Sequence, residues 1–120
     1  MTTPATIDGS AIDRLARLGG DPFVCKVLEI FLRDAPARVA SAREAIAARD
    51  ADGVAFCSHS LISTAGNVGA TTLQESARDL ERHAKSPDWD ELTAGVARLE
   101  ALVAEACEAL RAELARRGGT

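Results

Sequence analysis

Apolar residues recur along the chain in steps of three and four, and no segment alternates with the two-residue period of a strand. Such steps gather side chains on one side of a helix. A short first helix fits Ser10 to Leu18, with Ile12, Leu15 and Leu18 on one side and Gly19-Gly20 ending it. Asp21 as N-cap and Pro22 at the first helical position then open a long helix. Its stripe runs Val24, Val27/Leu28, Phe31, Ala35, Val39, Ala42 and Ile46, ending near Arg49 with a bend expected at Pro36. Asp50 can cap the next helix, whose core face is Val54, Cys57, Leu61, Ala65 and Val68, with Gly69 as its stop. Thr71/Gln74 or Thr72/Glu75 makes a capping box for a helix with the stripe Leu73, Ala77, Leu80 and Ala84. Ser86 as cap and Pro87 at the first position, followed by three acids, start the last helix. There Leu92, Val96, Leu99, Val103, Ala106, Leu110 and Leu114 form a sustained seam.

Four substantial one-faced helices on short connections predict an all-α fold, an antiparallel up-down-up-down four-helix bundle with a short additional N-terminal helix. One domain over residues 1–120 is expected, with 1–7 and 116–120 as loose tails.

Composition supports the helices and narrows the function. Apolar residues are 47% of the 120 and aromatics 3%, within an Ala-, Leu-, Glu- and Arg-rich chain. The net charge of −4 and the lack of a basic run give no electrostatic case for nucleic acid. Cys25, Cys57 and Cys107 show no CxxC spacing and read as small core residues in a reducing compartment. The richest apolar run, "FVCKVLEIFL", is broken by Lys26 and Glu29 and is too short to span a bilayer. No signal peptide is recognisable, so a cytoplasmic protein is expected, with no membrane partner. Nothing in the charge or the apolar faces calls for more than a monomer.

One stretch departs from the leucine-alanine pattern: "SHSLISTAGNVGATTLQE", from Ser58 to Glu75. At about 100° per residue, His59 lies opposite the core positions of its helix and points out of the bundle. Its face also carries Asp52, Ala55, Phe56, Ile62, Ser63 and Gly66. Ser63 and Gly66, one and two turns on, leave the imidazole bare and let another surface approach. Phe56 and Ile62 flank it as apolar residues that the core does not require, as docking of a partner would need. An outward histidine on a helix is ordinarily a solvated side chain, but serine and glycine are poor helix-interior choices and suggest a reason beyond helix stability. His83 shows no ligand spacing with a carboxylate or thiol, so no metal site is expected. A Ser-His-Asp arrangement lacks any GxSxG-like turn.

These residues resemble histidine-containing phosphotransfer (HPt) domains, the helical modules of two-component phosphorelays. "FLRDAPARVASAREAIAARDADG" is similar to their second helix and turn, and the His59 stretch looks like their phosphoacceptor helix. The pattern H-x-[LI]-K-G followed by A-G-x-x-G is met by His59, Leu61, Ala65, Gly66 and Gly69. The stretch through Thr71, Leu73, Gln74 and Glu75 also resembles the phosphoacceptor domain of chemotaxis histidine kinases, where a glutamate on the next helix binds the acceptor imidazole. The equivalent spacing lands on Glu81.

The resemblance implies that His59 exchanges a phosphoryl group through Nε2 with receiver-domain aspartates or a sensor histidine kinase. It implies that Glu81 binds Nδ1–H and orients the ring. It implies no cofactor on this chain, the Mg²⁺ being carried by the partner receiver. Two positions depart from the pattern: Ile62 and Ser63 stand where lysine and glycine are usual. A lost charge contact on an exposed surface is worth on the order of 1 kcal/mol, about tenfold in rate. The nucleophile remains. An alternative reading is a degenerate bundle that binds a receiver or kinase without carrying phosphate, and a purely structural bundle would do neither.

Overall fold

Gly20 breaks the first helical stretch where the paired glycines predict a stop, with φ 72° and ψ −171°, angles that a residue with a Cβ adopts only under strain. The computed structural model describes residues 7–118. In it α1 (Gly9–Ala47) is an N-terminal arm, residues 9–19, joined through Gly20 to a long bundle helix. α2 (Ala51–Val68), α3 (Thr71–Ala84) and α4 (Trp89–Arg116) follow. The helix pairs in contact are α1–α2, α2–α3, α3–α4 and α1–α4, so the four close into a ring around one core. This is the antiparallel four-helix bundle that the stripes predict. No helix among the described residues is long and apolar enough to cross a membrane.

The core faces match the stripes closely. Val54, Cys57, Leu61, Ala65 and Val68 of α2, Leu73, Ala77, Leu80 and Ala84 of α3, and all seven seam residues of α4 are buried. In α1 the buried set is Val24, Leu28, Phe31, Ala35, Val39, Ala42 and Ala45, with Ile46 and Val27 only packed against its edge. Each fully buried leucine or phenylalanine contributes about 1.5–3 kcal/mol, so these faces dominate the stability of the bundle. Pro36 sits inside α1 with helical backbone angles around it.

Several helix ends differ from expectation. Asp21 does not cap a first turn; its carboxylate accepts from Arg117, the C-cap of α4, at 2.8 Å. Neither capping box forms at α3, whose N-cap is Ala70 without a side-chain bond, because Gln74 crosses to α2 instead. The cap of α4 is Asp88, not Ser86: its Oδ1 accepts from the N–H groups of Asp90 and Glu91 at 3.1 and 3.2 Å. Asp88 is a better acceptor and leaves two acids, Asp90 and Glu91, in the first turn of the helix. Asp50 does cap α2, accepting from Gly53 N–H at 2.9 Å.

The arm docks onto the α2–α3 corner. Asp8 caps it through Ser10, whose backbone and hydroxyl hold the Asp8 carboxyl below the usual carboxylate range. Asp8 N–H donates to Gly69 O at 2.7 Å, and Ile7 pairs with Ala70 in an isolated bridge. Ala11 and Ile12 are buried beneath it, Leu15 is half-buried, and Leu18 is 73% exposed. Steps of three residues turn back by about 60° each, which carries Leu18 off the face that Ile12 starts.

The tails are tied down further than expected. Ile7 is in the bridge, Arg116 is helical, and Arg117 binds Asp21 and Glu113. Residues 1–6 and 119–120 of the expected tails lie outside the described residues. All three cysteines are free, Cys57 and Cys107 buried and Cys25 half-buried.

Candidate functional site

α2 presents its outward face between α1 and α3. His59 stands at the middle of that face, its side chain 73% exposed. Phe56 and Ile62 lie roughly 60° to either side of it around the helix axis. The Phe56 side faces α1, since Arg38 of α1 sets its guanidinium carbon 5.9 Å from the Phe56 ring centroid. The Ile62 side faces α3, since Gln74 Nε2 donates to Ile62 O at 3.1 Å.

From the α3 side Glu81 reaches His59. Its Oε2 lies 2.9 Å from His59 Nδ1, and its side chain is 30% exposed against the flank of the α3 stripe. Nδ1–H donating to the carboxylate fixes one tautomer and presents Nε2, with its lone pair, away from α3. A neutral imidazole so held is a nucleophile at Nε2, and the carboxylate stabilises the ring cation that forms when Nε2 bonds to an electrophile.

The other residues expected on this face divide by environment. Asp52, Phe56 and Ser63 are exposed, Phe56 to 66%. Ala55 and Ile62 are half-buried and pack against the core, so Ile62 is not the free apolar patch that its angle suggests. Gly66 has a local reason for its size. A Cβ there would lie 2.5 Å from Gln74 Nε2, so glycine leaves room for the amide that bridges α3 to α2 rather than simply clearing the approach to His59. Ser58, which periodicity alone does not single out, is fully buried on the flank toward α3 and donates to Val54 O at 2.8 Å.

His83 is far along α3, 52% exposed and 3.7 Å from Glu91 Oε1. Among the described residues no three His, Cys, Asp or Glu side chains gather as a metal site.

This bundle, in which the exposed His59 imidazole is braced at Nδ1 by a glutamate of the next helix, is matched by a family model. The Hpt domain model covers residues 26–116. This chain belongs to the Hpt family. Its role is therefore histidine phosphotransfer in two-component signalling, where Hpt proteins interact with receiver domains and histidine kinases. The fold is similar to the crystal structure of histidine-containing phosphotransfer protein B (HptB) from Pseudomonas aeruginosa PAO1, with TM-score 0.88 and 23% identity over 95% of this chain and 98% of that one. No curated protein matches the chain. The matched range takes in the long bundle helix from residue 26 onward and all of α2 and α3, His59 and Glu81 included.

Proposed function

We propose that His59 is the phosphoacceptor of this Hpt domain and Glu81 the residue that positions it. The observation that carries the reading is the 2.9 Å contact of Glu81 Oε2 with Nδ1 of a ring otherwise open to solvent. Nε2 attacks the phosphorus of an aspartyl phosphate on a receiver domain. The P–Nε2 bond forms as the P–O bond to the aspartate breaks, and the carboxylate leaves with the electron pair. The ring keeps its Nδ1 proton and becomes a cation facing Glu81. Transfer onward to a second aspartate reverses these changes. The receiver supplies the Mg²⁺ that screens the phosphoryl oxygens, and this chain supplies the nucleophile and its orientation. Asp52, Ala55, Phe56, Ile62, Ser63 and Gly66 form the ground on which the receiver settles around His59. The protein acts as a monomer, its helix stripes being turned into its own core, and in the cytoplasm, where such partners work.

Incubation with a phosphorylated receiver tests the assignment. The protein should take up acid-labile, base-stable label, and His59→Ala should take up none. Label that persists in His59→Ala, or binding of the receiver without any label, would overturn it.

A further inference from the structure

The phosphoryl group on Nε2 would carry two negative charges and stand near a third, the Glu81 carboxylate. The lysine that the family pattern sets one turn after the histidine is Ile62 here. A compensating cation has to come from another helix.

Three cations border the site. Arg78 of α3 and Lys85, the C-cap of that helix, lie one turn to either side of Glu81. Both are therefore on the side of the ring that Glu81 holds through Nδ1. The two ring nitrogens point to opposite sides of the imidazole, so Nε2 is turned away from α3, toward solvent and the α1 side of α2. There Phe56, one turn before His59, lies under the guanidinium of Arg38. A helical side chain leans over the turn N-terminal to its own Cα, which brings the imidazole toward the level of Phe56. Arg38 is uncommitted in charge: none of the ion pairs among the described residues uses it, and Asp34, one turn back on α1, is bound to Arg33. A cation over an aromatic face is held weakly, whereas a guanidinium meeting phosphoryl oxygens makes charge-assisted, bidentate bonds. Exchange of the first for the second is favourable and needs only side-chain motion.

The geometry points to Arg38, parked on the Phe56 ring, as the cation that meets the phosphoryl group on His59 in place of the motif lysine. This rests on His59 being the phosphoacceptor. It gives Phe56 a second task beside docking, and it makes the charge that the reaction needs a property of the α1–α2 pair rather than of α2 alone.

Potassium phosphoramidate provides a test without any receiver. Nε2 displaces ammonia from phosphorus, the P–N bond of the donor breaking as the P–Nε2 bond forms, and the phosphoform is followed by ³¹P NMR. A nearby cation favours the phosphoryl dianion over the monoanion. Arg38→Gln should therefore raise the monoanion–dianion midpoint by about half a unit, about threefold in the equilibrium, and slow formation of the phosphoform by a similar factor. Arg38→Lys should recover most of both effects, and Ile62→Lys added to Arg38→Gln should restore the midpoint. A role of Arg38 in folding alone would move neither the midpoint nor its rescue by Lys at residue 62. An unchanged midpoint in Arg38→Gln overturns the inference alone, as does a larger shift in Arg78→Gln, which would place the charge on α3. A ³¹P signal that never appears, or one that survives in His59→Ala, overturns this inference and the phosphoacceptor reading together.

Discussion

Glu81 and His59 meet at 2.9 Å across two helices, although 22 residues separate them in sequence. The contact is half-exposed, so its worth lies in orientation more than in stability. Glu81→Ala frees the ring to adopt either tautomer and removes the anion that steadies the imidazolium. A hydrogen bond to a charged group is worth about 1.5–3 kcal/mol, and partial exposure brings the expected loss in transfer rate to about tenfold. Glu81→Gln keeps an oxygen acceptor for Nδ1–H and should lose less. Both variants should unfold at the wild-type denaturant midpoint. Equal losses in the two would assign the effect to charge alone and remove the tautomer from the account.

Gly66 and Gln74 form a second coupled pair. The space above Gly66 is filled by the Gln74 amide on its way to Ile62 O. In Gly66→Ala the flexible amide must withdraw, losing a bond worth about 0.5–1.5 kcal/mol, while alanine gains about 1 kcal/mol of helix propensity. The single variant should be close to neutral. With Gln74→Ala added, nothing is left to clash, and the double variant should be more stable than Gln74→Ala alone by about 1 kcal/mol. Denaturant titration of the set checks this. Ile62 O keeps its helical partner throughout, so no buried acceptor is orphaned.

Such pairs show what a one-dimensional reading reaches. The stripes of α2, α3 and α4 are legible because burial of one helix face needs a 3.6-residue period, and leucine, valine and alanine fall on it at Leu61, Leu80 and Leu99 alike. The outward direction of His59 follows from the same period. The place of Glu81 came from the family spacing, with its position on the stripe's flank in agreement. Choices among neighbouring acceptors are harder: Ser86, Asp88 and the acids after it all make plausible caps, and only the local chain path selects Asp88. Cross-helix partners are not legible at all. Nothing near Arg38 in sequence announces Phe56, nor does anything near Gln74 announce the Ile62 carbonyl.

Gly69 joins two structural demands in one residue. Its φ is 76°, and a Cβ would lie 2.4 Å from the backbone oxygen of Asp8, which cannot move without undocking the arm. Left-handed strain of about 1–2 kcal/mol adds to that clash, so Gly69→Ala should cost at least about 2 kcal/mol. Hydrogen exchange should show the loss first in residues 9–19. Retained protection of the arm at wild-type stability would contradict the close approach.

Burial pushes the Cys57 and Cys107 thiols up from the ordinary 9.0, with Arg38 and Arg111 respectively opposing only in part. The folded chain thus holds these protons more tightly than the unfolded chain. Stability from this source is complete below pH 9 and falls as pH rises from 9.0 toward the higher folded values. Denaturant midpoints should decline between pH 9 and 10, and the decline should flatten in the Cys57→Ala/Cys107→Ala double variant. At pH 8 iodoacetamide should modify the half-buried Cys25 first and reach the other two only as fast as the bundle opens.

Ile62→Lys places the family's usual cation one turn from His59, at a price in packing. Ile62 is half-buried against the core, but a lysine stem can cover much of the same surface while its ammonium reaches solvent. The loss in stability should be about 0.5–1 kcal/mol, less than for truncation to alanine. The ammonium adds a second positive charge to a phosphoryl group that Arg38 already meets. Its gain should therefore be smaller in the wild-type background, about threefold in transfer rate, than in Arg38→Gln, where it should approach tenfold. Rates of transfer from a phosphorylated receiver in the four combinations of residues 38 and 62 measure the coupling directly. Equal gains in both backgrounds would mean that the two charges act independently, and no gain in either would mean that positive charge at position 62 does not limit this domain.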